Sequence, residues 1–289
     1  MQKIGEGILT VLKLSINPFK FIGTKCKKIH FAFKGFFDLI ENHQIELNYS
    51  PNERVTGFTN LLIACLCILS FIVVIFSKTR GSHNLINKIW MMCFDITLSI
   101  GATLGFIVHG LKIPGGIIGG LWYCLYLFLL VALMFRFFQA FWDCNKKTCL
   151  WMTPFLIILA YIHLIACWKY DTFLYIGSYA ILFGFIMGIT QLVFIFTRNS
   201  GYVLHLIADF VALGAFIFEA TNFRFEDWDQ NGFFHLGICL YVLMSTFAFV
   251  ASLPPIVDRK ERELELKEIK GIEDSFEYQK LPESVDTVN

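Results

Sequence analysis

Between Gly57 and Val257 the chain runs through seven long apolar stretches, separated by short segments of polar, glycine and proline residues. Each stretch approaches or exceeds the roughly 20 residues that an α-helix needs to cross a ~30 Å hydrocarbon core. The pattern therefore predicts spans at 57–77, 88–110, 115–140, 148–168, 173–197, 202–221 and 232–256. The breaks SKTRGSHN, KIPGG, DCNKK, KYD, TRNSG and NFRFEDWDQ carry turn chemistry. They are short enough to make successive helices antiparallel, so the expected fold is an all-α, polytopic seven-transmembrane-helix bundle. Gly101 with Gly105, and Gly184 with Gly188, have the G-x-x-x-G spacing that allows close helix approach.

The first 54 residues follow another pattern. From Met1 to Gly35 seven lysines, among them Lys13, Lys20, Lys25, Lys27 and Lys28, alternate with Ile, Leu and Phe against one acid, Glu6. No run there is both long and uncharged enough to span. A basic amphipathic segment of this kind lies in the interface of an anionic membrane, so these lysines are expected at the membrane surface on a retained pair of interfacial helices, with a cleaved mitochondrial presequence as the alternative. Past Pro255 both signs of charge recur at i,i+3 and i,i+4, which predicts a solvated helical tail. The expected organisation is thus 1–54 interfacial segment, 55–257 bundle and 258–289 charged tail.

Composition agrees with a multi-pass membrane protein: 56% apolar, 17% aromatic and 16% charged residues in 289. The net charge of +1 leaves no nucleic-acid footprint. Most of the nine cysteines sit inside apolar runs, where a thiol acts as a small hydrophobe; Cys144 and Cys149 are the one pair close enough in a loop to form a disulfide on an oxidising side. Basic loop residues number six on the C-terminal face (Lys78, Arg80, Lys88, Lys146, Lys147, Arg198) and three on the other (Lys112, Lys169, Arg224), which places the C-terminus in the cytoplasm or matrix. The lysine-rich N-terminus argues the opposite way.

Ionisable residues within spans are costly and so mark functional sites or structural pairs. Asp95 in span two has an obvious partner in Arg136 of span three, and a structural ion pair is expected. His205 and Asp209 share a face of span six at i,i+4 and could hydrogen-bond each other as a buried polar pair. His163 reads as a packing residue. Span seven opens with Asn231, His235 and Cys239 on one stripe, the kind of set a helix contributes to a metal site. His109 ends span two on the same membrane face as His235, so the two meet if their helices are neighbours.

Seven spans, a second helix ending GFIVHG and a seventh opening NGFFH make residues 55–257 resemble the CREST superfamily, whose best-known members are the alkaline ceramidases. The resemblance implies a zinc site of three histidines that activates water to cleave a lipid amide, with a serine and an aspartate nearby. His109 matches the second-helix ligand and His235 one seventh-helix ligand. Asn231 stands where the other histidine belongs, Gly105 replaces the serine, and no aspartate follows His109 at the family's distance. Catalytic zinc usually has three protein ligands, and an amide oxygen is a poor substitute for imidazole.

Two functions follow as expectations. The first is a non-catalytic accessory or structural subunit of a larger membrane complex, with other membrane subunits and structural lipids as partners. Its address would be the mitochondrial inner membrane, in a respiratory-chain or ATP-synthase assembly. The alternative is a zinc-dependent lipid amide hydrolase of the endoplasmic reticulum or Golgi membrane. A proton-coupled transporter using Asp95, His205 and Asp209 ranks third, because no inverted repeat is visible.

Overall fold

The computed structural model describes residues 18–42, 44–78, 82–144, 146–197, 201–219, 221 and 223–253. Lys13 and the expected tail at 258–289 lie outside these residues. Eight helices follow one another: α1 (Pro18–Glu41), α2 (Pro51–Phe76), α3 (Ser82–Gly110), α4 (Gly115–Cys144), α5 (Lys146–Tyr170), α6 (Leu174–Thr197), α7 (Gly201–Glu219) and α8 (Gln230–Ser252). From α2 to α8 these are the seven expected spans, each long and apolar enough to cross a membrane. The chain is an integral membrane protein with an all-α bundle. The first span starts earlier than the apolar run suggests, because Pro51 and Glu53 suit a helix's first turn and carry the helix out past Gly57.

The burial pattern is that of a bundle in lipid. On α2 the buried residues are small or polar (Thr56, Gly57, Thr59, Asn60, Ala64, Cys67, Ser70, with Ile63 and Val74), while Leu61, Leu62, Ile68, Leu69 and Ile72 face outward. Small inward residues let backbones approach where lipid offers no hydrophobic drive for helix association. Gly57 shows how close: a Cβ there would lie 2.5 Å from the Cα of Gly110 on α3. Helix α2 packs on both α3 and α8, and α7 completes that half. The other half is α4, α5 and α6, with α1 against α4. Two apolar clusters mark the halves, one built on α2, α3 and α8, the other mainly on α4, α5 and α6.

One helix occupies the described part of the N-terminal segment, where a pair was expected. Its docking is specific. At Gly120 of α4 a Cβ would meet the Ala32 Cβ at 2.4 Å and the Lys28 carbonyl oxygen at 2.6 Å. Lys25 departs from the surface role expected of it: its Nζ donates to the Tyr123 hydroxyl and to the Trp168 carbonyl, each at 2.6 Å, and sits 3.9 Å from the Tyr123 ring centre. Burial lowers its ammonium pKa against the opposing pull of Asp171. Lys27 and Lys28 stay exposed, with Phe31 and Phe37 also uncovered, so the remaining face keeps its amphipathic, membrane-surface character. Lys20 lies on the backbone of the first turn of α1.

The Cys144–Cys149 disulfide does not form. Cys149 is a buried free thiol whose Sγ donates to the Phe138 carbonyl at 3.8 Å, because the first turn of α5 turns it into the bundle.

Candidate functional site

Residues 44–50 fold back over the end of α3. The Asn48 backbone N–H donates to the Gly110 carbonyl at 2.8 Å, its side-chain amide donates to the His109 carbonyl at 3.0 Å, and Lys112 N–H reaches the Glu46 carbonyl at 2.8 Å. Terminal helix carbonyls that would otherwise lack partners are thereby satisfied. Glu46 accepts from the Tyr49 hydroxyl at 2.8 Å, with Lys112 beside it at 3.4 Å, and these two hold its carboxyl below the usual carboxylate range.

Under this lacing His109 and His235 come together, their ring centres 6.3 Å apart. The helices that carry them are not direct neighbours. Helix α2 lies between α3 and α8, and the two rings meet across its first turns. Each imidazole has a partner on α2. His109 Nδ1 lies 2.7 Å from Glu53 Oε2, and a carboxylate can only accept, so Nδ1 carries a proton. His235 is held by two groups of α2. The Asn60 amide nitrogen donates to the Thr56 carbonyl at 3.0 Å and lies 3.3 Å from His235 Nδ1, and the His235 ring also bonds the Thr56 carbonyl. Trp122 stands edge-on to His109 at 5.0 Å.

Asn231 and Cys239 do not join them. The Asn231 amide faces Glu219, with its nitrogen 2.8 Å from each carboxylate oxygen. Cys239 is buried against α2, its Sγ donating to the Thr59 carbonyl at 3.9 Å. No group of three or more His, Cys, Asp or Glu among the described residues is placed to hold a metal. Gly105 explains itself: a Cβ there would come within 2.6–2.9 Å of the Asn60 amide atoms, so Asn60 fills the space a serine would need.

A cavity of about 800 Å³ opens from this polar end and runs between the two halves of the bundle. His109, His235, Asn231 and Glu219 line its outer end; Arg136, Asp209 and Tyr241 line its inner end; nearly everything between is apolar. Phe185 and Ile189 of α6 and Phe210 of α7 line it and are also exposed on the outside, so the cavity opens sideways toward the bilayer.

The family model described as Family of unknown function (DUF6962) matches residues 55–252. The chain belongs to that family. The DUF6962 match begins in the second turn of α2 and ends with α8, so it takes in every span and both histidines and leaves α1 outside. No curated protein and no solved structure matches the chain.

The remaining polar residues of this DUF6962 bundle are partnered differently from expectation. No ion pair joins Asp95 to Arg136. Asp95 instead accepts from Ser70 at 2.8 Å, and Ser70 in turn accepts from Thr246 at 2.7 Å. Arg136 takes Asp209 as its carboxylate, at 3.8 Å, and His205 Nδ1 at 3.0 Å. His205 and Asp209 therefore share Arg136 rather than bonding each other. The i,i+4 spacing did put them on one face, but the guanidinium of α4 outcompetes a neutral imidazole for the carboxylate. His163 packs as expected: its Nδ1 meets the Leu159 carbonyl at 2.7 Å and its ring lies against Tyr179.

Proposed function

We propose that this is a non-catalytic membrane protein that holds a long-chain amphiphile in the cavity between its two halves, head group toward His109 and His235. The observation that carries the reading is the cavity itself: about 800 Å³, apolar along its length, open toward lipid and polar at its ends. That volume lies within the range of about 300–1,000 Å³ typical of small-molecule sites. The two imidazoles at the polar end suit a hydroxyl or amide head group, which can both donate and accept hydrogen bonds.

The zinc hydrolase is the second reading, favoured by one observation. Glu53 on His109 Nδ1 is the carboxylate–imidazole arrangement that orients metal ligands. Against it, His235 is tied to Asn60 and Thr56 of α2, and Asn231 is turned to Glu219. The test is zinc content of the detergent-purified protein under non-chelating conditions, together with hydrolysis of a long-chain lipid amide. The expected result is well under one zinc per chain and no hydrolysis above the His109→Ala, His235→Ala background. Stoichiometric zinc lost in either single variant would establish the hydrolase reading instead.

Membership in a respiratory-chain or ATP-synthase assembly of the mitochondrial inner membrane draws its support from the basic N-terminal segment. Co-migration of partner proteins in native electrophoresis is the expected result for an accessory subunit, and a monomer would contradict it.

A further inference from the structure

We propose that the inner end of the cavity is a second polar subsite, built by Arg136 and Asp209, that takes a neutral hydroxyl or amide group at the far end of the bound amphiphile. The inference rests on the cavity being a ligand site and adds what the ligand must carry.

Arg136 is 2% exposed. Its Nε donates to the Tyr241 hydroxyl at 3.0 Å, Nη1 to Gln139 Oε1 at 2.7 Å, and Nη2 to His205 Nδ1 at 3.0 Å. A guanidinium has five N–H groups, so these three bonds leave donors over. Asp209 does not take them up: its Oδ1 stands 3.8 Å from Nη2, beyond hydrogen-bond reach. Its other oxygen, Oδ2, is buried with no hydrogen-bond partner at all. Both side chains line the cavity. Unused donors therefore stand beside an unused acceptor in a low-dielectric site, where unpaired polar groups are most destabilising.

A guest that satisfies both must donate and accept at one point. A hydroxyl does so, giving its proton to Asp209 Oδ2 while its oxygen accepts from Arg136; an amide does the same with two atoms. A carboxylate guest would place a second anion against Asp209, and an ammonium would stand beside Arg136, so charge selects a neutral group. The spacing between the cavity's ends sets the ligand's length. Asp209 at the inner end and Glu219 at the outer end are ten residues apart on α7, about 15 Å at the helical rise. The ligand is accordingly a chain with polar groups at both ends, such as an acyl chain hydroxylated near its terminus, rather than a simple fatty acid.

The test is equilibrium binding of tritiated 1,12-dodecanediol and 1-dodecanol to the full chain in lipid nanodiscs. The wild type is expected to bind the diol about tenfold more tightly, as befits one added bond to charged partners. Asp209→Leu is expected to remove that preference, so that the two chains bind alike. If Asp209→Leu fails to fold, the double variant Arg136→Met, Asp209→Leu restores an apolar pair and reads the same loss. Equal wild-type affinities would overturn the subsite while leaving the cavity reading in place. Binding of both chains that survives Gly184→Trp, which fills the cavity where a Cβ meets nothing within 4 Å, would overturn both.

Discussion

Gly57→Ala is expected to destabilise the bundle by about 1–3 kcal/mol or more, the usual penalty for overpacking a closed interface. A single methyl suffices, because its Cβ would lie 2.5 Å from Gly110 Cα and 2.7 Å from Gly110 N. Both are backbone atoms and cannot swing aside as the end of a side chain could. Relief requires α2 to move off α3, and the first turns of α2 carry Glu53 and Asn60, the partners that orient both histidines. The loss is read as thermal unfolding in detergent with a thiol-reactive dye, since Cys67, Cys124, Cys167 and Cys239 are buried in the folded state. The midpoint is expected to fall by about 5 °C or more. Gly184→Ala is the control: its Cβ meets nothing within 4 Å, and it is expected to leave the midpoint unchanged.

Arg136→Leu is expected to be more damaging still, at about 3–5 kcal/mol, because removing one partner of a buried pair leaves the other charge uncompensated. Asp209 would lose its cation, and Gln139, His205 and Tyr241 would each lose a donor in the middle of the bundle. The reciprocal Asp209→Leu likewise leaves a buried charge, that of Arg136, which keeps Gln139, His205 and Tyr241 as neutral partners. Combining Arg136→Met with Asp209→Leu is expected to recover part of the stability, since no uncompensated charge remains while Gln139, His205 and Tyr241 still lack their donor. The same thermal assay checks the series, and an Arg136→Leu midpoint equal to wild type would show that the guanidinium is dispensable to the fold.

The spans were legible because hydrocarbon imposes length and composition on a helix, and both are visible in a run of letters. Their ends were less so: Pro51 and Glu53 belong to α2 through helix-start chemistry, which an apolar window does not register. His109 and His235 could be placed on one membrane face by counting helices. That α2 would separate α3 from α8 depends on helix order around the bundle, and antiparallel succession leaves that order open. Asn60 and Glu53, which hold the two rings, escape a linear reading for the same reason. An asparagine one turn inside the first span is the signal that could have found Asn60, since polar residues at membrane depth face the bundle interior. The partner of Arg136 was misread because sequence shows two carboxylates at bilayer depth, Asp95 and Asp209, and only packing decides between them; Ser70 and Thr246 absorb the first. The cavity has no linear signature, being the gap between residues of six spans.

Whether the gap between the two halves holds a long-chain amphiphile is read by native mass spectrometry of the full chain released from mild detergent. One retained amphiphile per chain is expected, displaced in Gly184→Trp while that variant keeps its thermal midpoint. A chain that carries no amphiphile under the same conditions, or one whose bound lipid is untouched by Gly184→Trp, would contradict that expectation.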